Sequence, residues 1–256
     1  MGDRPSGGVL PSCLALHGLG GGPYELGPVL DGLRAGGLVV SAPVLPGHEG
    51  PGPVMPASSW VDWAAAAEAA FDALAAPGGP VVVVGFSTGA TLALHLATRR
   101  PVAGLVLLAP FLTIRFSRFV PLRPLLYLRH LARVVPHLPR RGAAVRDPEA
   151  RRRLRTASRF RTFSLGATLS ALELIEHVEP LVPGIRAPTL ILQGGRDTVV
   201  EPAGAAWLER HLGSPRKRLI GFPRSDHLLA LDRDRDLVVA ATLAFVLGRD
   251  DPPAPP

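Results

Sequence analysis

The sequence predicts an α/β protein with a mostly parallel sheet of about six to seven strands flanked by helices. A small helical cap is expected after the strand ending near residue 110. Three observations carry this expectation. Short apolar runs alternate with longer helical stretches. Several runs are apolar without alternation, as strands buried on both faces require. The alternation breaks once, over residues 111–186, and then resumes.

The expected strands are "SCLALHG" (12–18), "LVVSAPVL" (38–45), "PVVVVGF" (80–86), "GLVLLAP" (104–110), "PTLILQG" (188–194) and "KRLIGFP" (217–223). Residues 58–76 read as a helix with Ser58 and Ser59 as candidate N-caps, stopped by "PGG". Further helices are expected over 88–100, before Pro101, over 202–213, from a proline to a glycine, and over 236–249. Residues 111–186 hold helix-like stretches around 122–135, 148–160 and 168–179 and no convincing strand. The expected organisation is a core of residues 1–110 and 187–249, a cap of 111–186 and a disordered tail of 250–256. A cap inserted there would overlie the strand ends where open α/β sheets bind ligands.

Composition narrows the function. The chain has 256 residues, 47% of them hydrophobic, enough for one large core. No apolar run approaches the ~18 residues of a membrane span, and no secretory signal is evident at the start. A cytoplasmic location is expected. With one cysteine, Cys13, no intrachain disulfide forms. Zinc-ligand spacing, a P-loop and G-x-G-x-x-G after a strand are all missing, so no cofactor or metal is expected. Residues 140–161 hold nine arginines against Asp147 and Glu149, an excess equal to the whole chain's net charge of +7. This reads as a solvated face rather than a nucleic-acid platform.

Gly85-Phe86-Ser87-Thr88-Gly89 fits G-x-S-x-G between a buried strand and a helix. A serine hydroxyl needs a base to become nucleophilic, and the base needs an acid to orient it. Asp197 follows one later strand and His227 follows the next, so three chemical roles fall at three strand ends. Asp226 is the rival acid, expected to face solvent or cap locally, and Asp232 is expected to cap or flank the last helix. His95 reads as packing, and His130, His137, His177 and His211 carry no motif. For the oxyanion, the expected backbone donors are Thr88 and, from "HGLGGGP" (17–23), Leu19. His17 and Gly18 are expected to shape that loop.

"LALHGLGG", "APVLPGHEG", "VVGFSTGA", "QGGRDTVVEP" and "SDHLLALD" together resemble the small-capped carboxylesterase and monoacylglycerol-lipase branch of the α/β-hydrolase superfamily. The resemblance spans residues 12–232 and implies an α/β-hydrolase fold with Ser87, Asp197 and His227 as the triad. It also implies an acyl pocket under the cap, with Phe86, Phe111, Leu112, Leu125 and Leu126 as candidate lining. Thr88, Ala90 and the loop Gly47-His48-Glu49-Gly50 depart from the branch's usual residues. The expected activity is hydrolysis of small to medium carboxylic esters, with monoacylglycerols among the candidate substrates, through an acyl-enzyme. Thioesterase, acyltransferase or peptidase activity, or a silent binding role, are the alternatives. The expected partner is a small-molecule ester, with a weak membrane contact through the basic stretch around Arg129 and Arg133.

Overall fold

The computed structural model describes residues 9–49, 52–113, 124–140, 142–157 and 160–249. Its main sheet has six strands: β1 (Ser12–Leu16), β2 (Val40–Ser41), β3 (Val81–Phe86), β4 (Gly104–Leu108), β7 (Thr189–Gly194) and β8 (Lys217–Phe222). Every pairing is parallel and the order is β2-β1-β3-β4-β7-β8. The central strands β3, β4 and β7 are buried at every position, which is why their sequences are continuous apolar runs. Strand β2 is only two residues long, against the eight expected over 38–45. Pro43 and Pro46 have no N–H to offer a ladder, and an edge strand tolerates the early stop.

Right-handed crossovers decide which face each helix covers. The chain moves one way from β1 to β2 through α1 (Gly27–Ala35). It moves the other way through α2 (Trp60–Ala75), α3 (Thr88–Arg99) and α7 (Pro202–His211). Helix α1 therefore lies opposite α2 and α3, and the last helix, α8 (Arg235–Val246), packs on α1. Ser59 caps α2, its hydroxyl accepting from the Asp62 N–H at 3.2 Å. Helix α1 has no clear helical signature, since "GPVLDGLRA" holds two glycines and a proline. The interior glycine is needed for packing: a Cβ on Gly32 would lie 2.5 Å from Val239 Cγ1 of α8.

Between β4 and β7 lie α4 (Pro124–Ala132), β5 (His137–Pro139), α5 (Pro148–Ala157), β6 (Thr162–Ser164) and α6 (Leu165–Val178). Strands β5 and β6 pair antiparallel, correcting the expectation that this region is without strands. Three residues each are too few for a readable period, and the ribbon is fixed from outside. The Met55 N–H donates to Thr162 Oγ1 at 3.2 Å, and His137 Nε2 donates to the Met55 carbonyl at 3.1 Å. Helix α6 is largely buried and packs on α2, α3 and α4, while the Trp60 N–H bonds Ser170 Oγ at 2.7 Å. No helix among the described residues is long and apolar enough to cross a membrane. Residues 250–256, the expected tail, lie outside the described residues.

Candidate active site

Ser87 sits between β3 and α3 with φ 53° and ψ −119°, a conformation costly for a side-chain-bearing residue. The turn closes only because its neighbours are small. A Cβ on Gly85 would lie 2.4 Å from the Gly89 carbonyl oxygen, and one on Gly89 would lie 2.1 Å from that of Leu16. The Ser87 N–H donates to the Leu108 carbonyl at 2.9 Å, tying the turn to β4. The hydroxyl is thereby presented at the strand ends.

His227 Nε2 lies 3.0 Å from Ser87 Oγ, and its Nδ1 lies 2.9 Å from Asp197 Oδ2. With the proton on Nδ1 donated to the carboxylate, Nε2 is free to accept from the serine hydroxyl. Asp197 is fully buried, and its Oδ1 accepts from the Val199 and Val200 N–H groups at 2.8 Å each. Gln193 Nε2 donates to Oδ2 at 3.0 Å. Burial works against the Asp197 charge. The His227 N–H, the histidine's charge and the two amides outweigh it and hold the carboxyl below the usual range. All three side chains are under one tenth exposed.

One of the two other aspartates differs from expectation. Asp226 is buried rather than solvent-facing: its Oδ1 accepts from Thr198 N–H, Thr198 Oγ1 and the His227 N–H, each at 2.8 Å. Asp232 flanks the last helix as expected, its carbonyl accepting from the Arg235 N–H at 3.0 Å, but its side chain is fully buried. It accepts from the N–H groups of Arg146, Asp147, Asp226 and Arg233 at 2.7–2.9 Å, so one carboxylate joins the inserted segment to the His227 loop. Asp234 takes the N-cap position of α8 instead.

The loop after β1 is held on several sides. His17 Nδ1 donates to the Gly18 carbonyl at 2.9 Å, and its Nε2 accepts from the Leu45 N–H at 3.0 Å. His48 Nε2 accepts from the Gly20 N–H at 2.9 Å. Both rings therefore use one nitrogen as an acceptor and are neutral. Among the described residues, the N–H groups of Leu19 and Thr88 have no acceptor, whereas neighbouring amides of the loop do.

Phe86 is buried, its ring 5.0 Å from the His227 imidazole and close against Gly18, so it backs the histidine. Phe111 is tied to the serine turn through its N–H to the Ser87 carbonyl at 3.2 Å, and its own carbonyl accepts from Thr91 Oγ1 at 2.6 Å. Leu112 lines a cavity of about 310 Å³ with Ile175 of α6 and Trp207 of α7. Leu125 and Leu126 fall in α4, where their side chains lie outside the described residues. No group of three or more His, Cys, Asp or Glu among the described residues could hold a metal ion. Sequence reasoning missed Glu25, Arg140 and the bonding of Asp232. Their partners are distant in the chain and leave no local pattern.

The Hydrolase_4 family, described as serine aminopeptidase, S33, matches residues 11–234. The thermostable monoacylglycerol lipase of Bacillus sp. (strain H-257) is 24% identical over 240 residues, covering 91% of this chain and 88% of the relative. Among solved structures, one from a study of the metagenome-derived lipolytic enzymes LipS and LipT has TM-score 0.81 and 26% identity, covering 93% of this chain and 95% of the other. The monoacylglycerol lipase of Paleococcus ferrophilus shares the fold, with TM-score 0.79 at 22% identity over 95% of this chain and 97% of its own. The chain belongs to the Hydrolase_4 family and is a lipase/esterase-like enzyme of the α/β-hydrolase superfamily.

Proposed function

We propose that the chain hydrolyses carboxylic esters of small to medium acyl groups, monoacylglycerols among them, with Ser87, His227 and Asp197 as its triad. One observation carries the reading: Ser87, His227 and Asp197 form an unbroken hydrogen-bonded line at 3.0 Å and 2.9 Å. His227 takes the serine proton as Ser87 Oγ attacks the ester carbonyl. The free amides of Leu19 and Thr88 receive the oxyanion, and Asp197 stabilises the imidazolium. His227 then returns the proton to the leaving alkoxide. Water, activated by the same imidazole, releases the acid from the acyl-enzyme.

Residues 111–186 act as the cap in this reading. Phe111, whose N–H bonds the Ser87 carbonyl, and Leu112 begin the acyl side. A peripheral contact with anionic membrane accompanies it, through α4. Exposed Leu131 stands beside Arg129 at its end, and exposed Val134 beside Arg133 in the turn that follows, although Arg129 also pairs with Glu173 at 3.0 Å.

The test is hydrolysis of p-nitrophenyl esters of graded chain length by wild type, Ser87→Ala and Asp197→Asn, with one ester also offered in anionic and neutral vesicles. Ser87→Ala is expected to abolish turnover, and Asp197→Asn to lower kcat by about 10⁴. Turnover surviving in Ser87→Ala would sink the nucleophile assignment. The family's description favours a peptidase as the second reading. Release from aminoacyl p-nitroanilides without ester cleavage would support it.

A further inference from the structure

The steps above use none of the charge beneath the loop after β1. Glu25, in the short turn Pro23–Leu26, is 3% exposed, and its Oε2 accepts from the Gly18 N–H at 3.1 Å. Arg140, directly after β5 of the inserted segment, places Nη2 3.9 Å from Glu25 Oε1. Its Nη1 donates to the Gly20 carbonyl, and its guanidinium lies 5.2 Å from the centre of the Phe163 ring. Phe163 closes on the same glycine, where a Cβ would lie 2.8 Å from the ring. Leu19, whose amide is one of the two free donors, stands between the residues so gripped.

We propose that Glu25 is a positioning residue of the oxyanion loop, and that its ion pair with Arg140 couples seating of the inserted segment to placement of the Leu19 amide. The proposal rests on the triad and oxyanion reading above. Glu25 fixes Gly18 from below, and Arg140 fixes Gly20 from the inserted segment. An ionised Glu25 draws the guanidinium inward; a neutral one keeps its bond from Gly18 but loses that attraction, and Arg140 is free to leave the Gly20 carbonyl.

The charged groups facing Glu25 are Arg140, Arg155 and Arg161 around a cavity of about 90 Å³, and His227 from the loop after β8. Burial pushes the carboxyl up to about 7. The Arg140 charge, the Gly18 amide, His227 and the Gly22 amide pull the other way and keep it from going higher. The ion pair therefore forms and dissolves near neutral pH.

The experiment compares wild type, Glu25→Gln and Arg140→Gln on one soluble p-nitrophenyl ester, with kcat and KM followed from about pH 5 to about pH 9. In wild type both His227 and Glu25 must be deprotonated, so the acid limb of log kcat is expected to approach a slope of about 2. Glu25→Gln keeps an acceptor for Gly18 but carries no charge. Its limb is expected to fall to a slope of about 1, with plateau kcat down roughly a hundredfold and KM within about twofold of wild type. Arg140→Gln removes the partner through which the Glu25 charge acts, so its limb is expected to fall to a slope of about 1 as well, with a lowered plateau.

Wild-type kcat in Glu25→Gln, or a retained slope of about 2, overturns the proposal; an unaltered slope in Arg140→Gln overturns the part given to Arg140. A residue that only supports the fold would change the melting temperature and leave the slope alone. Ser87→Ala separates the two readings. Turnover in that variant defeats the site assignment, whereas a dead Ser87→Ala beside an unaltered Glu25→Gln defeats only the role of Glu25.

Discussion

Ser87 holds a positive φ because both flanking glycines have given up their side chains to let α3 approach β1 and β3. Gly89 is the tighter of the two, since its missing Cβ would meet the backbone oxygens of Leu16 and His17 at 2.1 Å and 2.6 Å. Backbone has no rotamer with which to yield, so Gly89→Ala is expected to destabilise the fold by about 3 kcal/mol. Gly221 of β8 meets nothing within 4 Å, and Gly221→Ala is expected to be neutral or slightly stabilising. Chemical denaturation of the two variants checks the contrast; equal losses would show that the elbow glycine has no special packing role. The elbow was legible because its chemistry is local: three fixed positions within five, between a strand and a helix. Asp226 was not. Its partner Thr198 lies 28 residues away, and nothing about an aspartate beside a histidine announces burial.

Elements were legible where burial on both faces left a continuous apolar run, as in β3, β4 and β7. They were obscure where tertiary contacts override local preference. Helix α1 places glycine against α8, and the ribbon of β5 and β6 is held by Met55 from outside the insertion. One side chain gathers the backbone where the insertion meets the His227 loop. Asp232 receives four backbone N–H groups from two segments, 146–147 and 226–233, that Arg146 also joins through its 3.4 Å pair with Asp226. Asp232→Ala would leave those donors buried without an acceptor, at a cost of about 3 kcal/mol or more. Asp232→Asn, with a single acceptor oxygen, is expected to lose less. Thermal melts should rank wild type above Asn above Ala. Turnover should fall in the same order, because the Asp226 amide that Asp232 holds adjoins His227. Melts that do not separate the three would show that the inserted segment is anchored elsewhere.

Over the whole molecule, two buried groups beside the same loop pull stability in opposite directions with pH. Burial and the nearby His48 hold His17 down to about 3, against a bond to the Gly18 carbonyl that favours its charge. The unfolded chain takes that proton near 6.5, so the fold loses stability as pH falls from about 6.5 toward about 3. Burial lowers His48 and His95 as well and adds to the loss. Glu25 acts the other way. The fold protonates it near 7 and the unfolded chain near 4.5, so stability rises as pH falls through that range. Each group changes stability by about 1.4 kcal/mol per pH unit, and between about pH 6.5 and 4.5 the two slopes oppose each other. Glu25→Gln removes the compensating rise. Its stability is expected to fall more steeply than wild type by about 1.4 kcal/mol per unit across that window. Above about pH 7 the ionised, buried Glu25 burdens the wild type, and the variant is expected to be more stable by about 3 kcal/mol. Denaturant titrations at several pH values measure both effects, and parallel curves would show that Glu25 titrates alike in the folded and the unfolded chain. A variant that is more stable yet turns over more slowly separates the two roles of this position. The charge at Glu25 lowers stability because it is buried, and it is retained because the loop that carries the Leu19 amide is held through it.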